Sequence, residues 1–394
     1  MAPGALSRVV VILILLGCAG FGGYGTFGAG SQNGLFEVIS NSAGRPAASE
    51  RYIPGGPEPI RTRYTGIVAI DDHVIVLVAF FTFLIDGPQT WDITLSYWYL
   101  MAHFCAGWTL MALEGLRKGN RGKLVSWTGI MGIVIQNVTY TVTVPLYLIL
   151  HLVTSPVARP VLDPTGVLSV DPVDLILLPF TETLAFIIPA VMMSLPSPSV
   201  VSPLLHYGWD AFWQVFPVIQ SVWLWALKKP LASPARTAST GNAHRQAAGC
   251  TYLFVLALSV TSQVALLAVA TTPGTAVPER WAAVFSAVDL RSAFVPFWPW
   301  DTPTVDPKAS PIARDGLARL ARLFIQWDIY CAGTAILVWA LYLHCIARPD
   351  VSSKNLIPKV AYWLLLGGPP AAAAVLLWER DEALNNANAA QKVD

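Results

Sequence analysis

The stretch Ile67-Val68-Ala69-Ile70-Asp71-Asp72-His73-Val74-Ile75-Val76-Leu77-Val78-Ala79-Phe80-Phe81-Thr82-Phe83-Leu84-Ile85-Asp86 decides the fold. From Val74 to Ile85 it carries no charge, and as a helix it would match the hydrocarbon thickness of a bilayer. It is too long and too continuously apolar for a barrel strand. A backbone in lipid must satisfy its hydrogen bonds internally, so the stretch reads as a membrane-spanning helix.

The rest of the chain repeats the pattern. Hydrophobic residues make up 54% of 394 positions and charged residues 12%, with mean hydropathy +0.54. These values lie outside the range of soluble globular domains. Further apolar blocks run over 9–29, 93–114, 124–154, 175–195, 207–227, 249–271, 323–346 and 357–378. The expected fold is all-α, a polytopic helical bundle of eight or nine spans. The 124–154 block is long enough to be kinked at Pro145, and Gly367-Gly368-Pro369-Pro370 should bend the last span.

Four regions follow from this pattern. Residues 1–29 form an N-terminal anchor or a signal segment, and 30–63, containing Pro54-Gly55-Gly56-Pro57, an extramembrane loop. Residues 64–378 form the bundle and 379–394 a polar tail. An integral membrane location, in the endoplasmic reticulum, is expected. The basic loops 228–245 and 348–359 fall on one face, whereas the basic run 117–123 falls on the other, against the positive-inside rule. A net charge of +1, without a basic stripe, gives no reason to expect nucleic acid.

The charged residues within the apolar blocks are carboxylic acids: Asp71, Asp72, Asp86, Glu114, Glu182, Asp210 and Asp328, with no Lys or Arg. An ionised carboxylate in hydrocarbon costs several kcal/mol, so such a group tends to stay protonated unless paired, and a protonated acid in a dry pocket can donate. Asp86 closes an aromatic run, and Glu114 shares a helical face with His103 and Gly107. Glu182 sits at mid-span, while Asp210 lies one turn from Gln214 among Trp209, Phe212 and Trp213. Each also has a plain structural reading, as a helix-end acid, a partner of Arg117 or an interhelical bond. Gln136, Tyr140, Thr143, Tyr147 and His151 form one polar stripe, which faces either neighbouring helices or a pocket.

Other motifs carry less. Asp71-Asp72 lacks the further acids and cations of a magnesium-diphosphate site and reads as well as a helix cap. Gly20-Phe21-Gly22-Gly23-Tyr24-Gly25 matches GxGxxG but follows no strand, so close helix packing explains it better. The five cysteines and six histidines show no metal-ligand spacing.

Five segments resemble a family of fungal integral-membrane terpene cyclases of meroterpenoid pathways, of the ascochlorin, ascofuranone and macrophorin type. They are Arg63-Tyr64-Thr65-Gly66-Ile67 with Asp71; Phe80-Phe81 with Asp86-Gly87; Leu113-Glu114-Gly115-Leu116-Arg117-Lys118-Gly119-Asn120-Arg121-Gly122-Lys123; Pro145-Leu146-Tyr147 with His151; and Phe212-Trp213-Gln214 with Pro217. The resemblance implies proton-initiated cyclisation of a prenylated, epoxidised precursor, with Asp86 and Glu114 as the first acid pair to test. Asp210 and Glu182 complete the catalytic candidates. His103, Gln136, Tyr140, Tyr147, Trp209, Trp213 and Gln214 are the candidate substrate-binding residues. The expected partners are a hydrophobic prenylated molecule and membrane lipids, with neither metal nor organic cofactor. Buried acids suit a proton-coupled transporter equally well, and a non-catalytic scaffold would bond its acids to neighbouring helices.

Overall fold

A computed structural model describes residues 3–43, 53–54, 59–85, 91–160, 164–231, 241–309 and 312–391. Among these residues the regular structure is helical, with no strand. The helices are α1 Pro3–Gly23, α2 Ala29–Gln32, α3 Leu35–Ala43, α4 Val68–Ile85, α5 Trp91–Gly115, α6 Thr128–Val138, α7 Tyr140–Thr154 and α8 Pro164–Leu168. They continue as α9 Pro172–Glu182, α10 Ile188–Met193, α11 Pro203–Trp213, α12 Phe216–Leu231, α13 Gly241–Thr271, α14 Glu279–Ala287, α15 Leu290–Phe294, α16 Arg314–Ala347 and α17 Ser353–Gln391.

Among the described residues, six helices are long and apolar enough to cross a membrane: 7–32, 68–85, 166–193, 245–271, 314–347 and 353–384. The larger sequence count has identifiable causes. The 124–154 block is two helices, because Thr139 takes φ 94° and breaks the run between α6 and α7. Pro145 sits inside α7. The 207–227 block likewise divides between α11 and α12.

Helix α5 is the hub. From Tyr99 to Gly115 nearly every side chain is buried, as expected of a helix that is apolar all round. It packs against α13, α16, α9 and α17. Gly107 permits the closest approach: a Cβ there would lie 2.5 Å from Tyr140 Oη and 2.9 Å from Ile336 Cδ1. Gly22, in the GxGxxG run, plays the same part against Thr141 and Cys331, so the run is a packing surface.

Two expectations change at the chain's ends. The 30–63 segment, read as a loop, contains α3, whose Leu35, Val38 and Ile39 are buried beside α4. Glycine and proline flanks obscured this short amphipathic helix. Beyond Trp378 the polar segment continues as helix: α17 runs on to Gln391 and buries Arg380 and Asp381. Those charges are tolerated because opposite charges meet them.

Candidate active site

Between α3, α4, α5, α6, α7, α11 and α16 lies a partly enclosed cavity of about 810 Å³. Its walls carry Phe27, Phe36, Phe80, Phe81, Phe104, Tyr140, Trp213 and Phe324, among aliphatic residues. Phe81 meets Trp213 edge to face at 5.0 Å, as Phe80 meets Phe324 at 5.0 Å, and Phe104 lies tilted on Tyr140 at 4.3 Å. Phe186 and Phe216 back them, so this end of the chamber is a wall of negative ring faces and positive edges.

The polar groups on the walls are few. Asp328, on α16, lies beside the break at Thr139, and its Oδ1 accepts from the Thr141 amide at 2.8 Å. The carboxyl thus caps α7 from a different helix, where the positive end of the helix dipole favours an anion. Thr139, a β-branched residue at positive φ, also lines the cavity. Such a conformation costs on the order of 1–3 kcal/mol and marks a place where surrounding structure over-determines the backbone.

Gln214 and Trp213 come from the end of α11. The Gln214 amide donates to Asp210 Oδ1 at 3.0 Å, and its own carbonyl oxygen has no protein partner. Asp210 is fully buried and stands directly behind the cavity wall. Asp72, His73, Gln136 and Asn137 add polar lining at the ends of α4 and α6, and Ser40 of α3 adds a hydroxyl.

The remaining sequence candidates lie elsewhere. Glu114 Oε1 accepts from Arg117 Nε and from Arg380 Nη2, each at 2.6 Å, and His151 Nε2 stands 3.7 Å from Oε2. Asp381 takes Arg117 at 2.8 Å, Arg380 at 2.8 Å and the Tyr252 hydroxyl at 2.8 Å. Two acids and two arginines form a neutral buried knot that joins α5, α13 and α17. The acid-only pattern therefore fails at Glu114, whose cations come from segments read as loop and tail. Burial of Arg117 also removes one charge from the loop that conflicted with the positive-inside rule.

Glu182 is buried against α12, where its Oε1 accepts from Gln220 Nε2 at 2.5 Å; Gln220 in turn accepts from Trp108 at 2.9 Å. His103 abuts the bend of α17, where a Cβ at Gly368 would come within 2.6 Å of its ring. Tyr147 donates to the Val125 carbonyl at 2.8 Å, and Trp209 packs on Phe212 at 5.7 Å. None of these side chains lines the cavity. Asp71 accepts from the Thr65 and Gly66 amides and caps the entry to α4. Asp86 lies outside the described residues. Among the described residues, no three His, Cys, Asp or Glu side chains converge as a metal-ligand set.

An aromatic chamber with isolated carboxyls agrees with the likeness seen in the sequence. The CtvD domain model matches residues 8–385. The chain belongs to the CtvD-domain family. It is similar to terpene cyclase ascI of Acremonium egyptiacum, with 28% identity over 94% of this chain and 91% of the relative. Terpene cyclase ctvD of Aspergillus terreus is 25% identical over 90% and 94%, and terpene cyclase atmA of Aspergillus flavus 26% over 89% and 91%. No solved structure matches.

In this CtvD-domain chain, His73 and Asn137 are among the wall residues that the sequence did not single out. Asp72 was read only with Asp71, as a helix cap or a diphosphate motif, and Asp328, beside Trp327, as a weaker candidate of the Asp210 kind. The signal for His73 and Asn137 was weak: each is a lone polar residue at the end of an apolar helix. Their meeting depends on two helices that are 64 residues apart in sequence.

Proposed function

We propose that this chain, a terpene cyclase by family, closes rings on the isoprenoid tail of a prenylated, epoxidised meroterpenoid precursor in the membrane. The cavity carries the reading: its volume falls within the roughly 300–1,000 Å³ of small-molecule sites, and its walls are aromatic. Aromatic faces stabilise a nearby cation by about 0.5–2 kcal/mol each, more when dry. Exclusion of water protects cationic carbons from quenching.

In this scheme protonated Asp210, held by Gln214, delivers its proton to the epoxide oxygen. The C–O bond opens, an internal alkene attacks the resulting cationic carbon, and a new C–C bond forms. The positive charge moves along the folded chain past Phe81, Phe104 and Trp213. Asp328, whose Oδ1 already accepts from the α7 amide, takes the final proton, so the product is an isomer of the substrate. The protons redistribute through solvent between turnovers. Glu114 and Glu182 are assigned to holding helices together, and Asp86 is to be tested beside Asp210 as an alternative donor.

Membranes containing the protein, incubated with an epoxyfarnesyl phenol, should yield a cyclised isomer of unchanged mass. Recovery of only starting material or the hydrolysed diol would defeat the proposal.

A further inference from the structure

The two ends of the cavity differ in chemistry. Along α4 the lining runs from Asp72 and His73 to Phe80 and Phe81, about 13 Å at 1.5 Å per residue. Phe81 contacts Trp213, the neighbour of Gln214, so the Asp210–Gln214 pair marks the second end. The first end reaches the surface: Asp72, His73 and Asn137 are exposed, as are Val68 and Val76 of the lining.

The hydrogen bonds at the exposed end fix its polarity. Asn137 Nδ2 donates to the Ile133 carbonyl at 2.6 Å, so Asn137 Oδ1 is the atom that meets His73 Nε2, at 2.5 Å. With Nε2 engaged on Asn137 Oδ1, Nδ1 is the ring nitrogen left for an incoming group. With the Asp72 carboxylate beside it, the mouth presents acceptors to an incoming group. A phenolic O–H is a matching donor, whereas an isoprenoid chain has nothing to offer there. The flanking outer surface, with exposed Ile67 just before α4, Ile70 on α4, and Val134 and Val138 on α6, is apolar, as a lipid-facing rim would be.

We infer that the substrate enters tail first: the hydroxylated aromatic ring stays at the mouth on His73 and Asp72, and the far isoprene unit reaches Gln214 and Asp210. This orientation rests on the cyclase reading for its ligand but not for its geometry. It names the His73–Asn137 pair as the specificity element for the ring. Asn137 acts there as a positioning residue, because it engages Nε2 of His73 without needing to touch the ring.

Two photoaffinity probes on a farnesylated phenol test this in membranes containing the full chain. One carries a diazirine on the ring, the other on the terminal isoprene unit. Mapping the labelled peptides should place the ring probe within 68–77 or 134–139 and the tail probe near Phe81, Phe104 or Trp213. The reverse pattern, one pattern for both probes, or no label in the cavity overturns the inference. Asn137→Ala and His73→Ala should raise KM for the phenolic substrate about 5- to 10-fold, the scale of one lost hydrogen bond, with kcat nearly unchanged. The same variants should leave KM unchanged for farnesyl epoxide lacking the ring, and an equal rise for both substrates overturns the ring contact. Correct labelling without any cyclised product would sink only the cyclase reading. Cyclisation with reversed labelling would sink only the orientation.

Discussion

The side-chain amide of Gln214, a residue of the cavity wall, donates to Asp210 at 3.0 Å. The pair lies on one turn at the end of α11, beside Trp213, and the chamber's aromatic wall holds it in place. Asp210→Asn keeps the shape and hydrogen-bonding reach of the side chain but removes its transferable proton. Turnover should fall by about 10²–10⁴-fold while the protein still accumulates in membranes. Near-normal product formation by this variant would remove Asp210 as the donor and pass the role to Asp86.

Asp328→Asn tests the other end of the proton's path. The amide oxygen can still accept from Thr141, so α7 should keep its cap, but the proton-accepting carboxyl on the cavity wall is gone. Expected is a loss of about 10²-fold or more in rate, with substrate binding retained. A rate loss matched by an equal loss of thermal stability would instead make Asp328 a cap alone.

Glu114→Gln should act on stability, not chemistry. It leaves Arg380 and Arg117 sharing one acid inside the protein, and breaking such a buried pair costs about 3–5 kcal/mol. Reduced yield and a lower Tm in detergent are expected, with near-normal kcat for the molecules that do fold. Full accumulation together with abolished turnover would restore Glu114 to the chemistry.

Gly107→Ala places a methyl group 2.5 Å from Tyr140 Oη. The helices must part or the ring must swing toward the cavity, so both stability and product pattern should suffer. Tyr140→Phe, which removes the oxygen, should recover part of the loss in the double variant. Absence of any recovery would show that Ile336, the other close neighbour, sets the limit.

Trp213→Ala removes the ring that touches Phe81, Phe104 and Phe186. Truncating a buried tryptophan costs about 3–5 kcal/mol, so Trp213→Phe is the more informative change. With one face fewer around the cation, partly cyclised and water-quenched products should rise relative to the full product, read by chromatography. An unaltered product ratio would separate this ring from the reaction.

Much of the architecture was legible because a bilayer leaves the backbone few choices. The run 67–86 announces a helix, and α4 lies there. Helical periodicity also put Gln136 and Tyr140 on one stripe, and both line the cavity. The same stripe continues to Tyr147 and His151, which bond Val125 and Trp339 instead. Periodicity names a face of a helix but not what arrives opposite it. Glu114 shows the limit: its nearest cation, Arg117, is three residues away and readable, whereas Arg380 is 266 residues on. The break at Thr139 was unreadable for a related reason. A β-branched residue at positive φ is disfavoured locally, and only tertiary contacts such as the Asp328 cap hold it there.

The knot around Glu114 also sets a timetable for biogenesis. Glu114 and Arg117 leave the ribosome long before Arg380 and Asp381, so through most of translation the early pair lacks half of its counter-charges. The bundle can lock only after the last helix has been made and drawn in. A prematurely terminated chain would expose that gap to cellular quality control, and an affinity tag is better joined at the N-terminus than fused directly after a shortened α17.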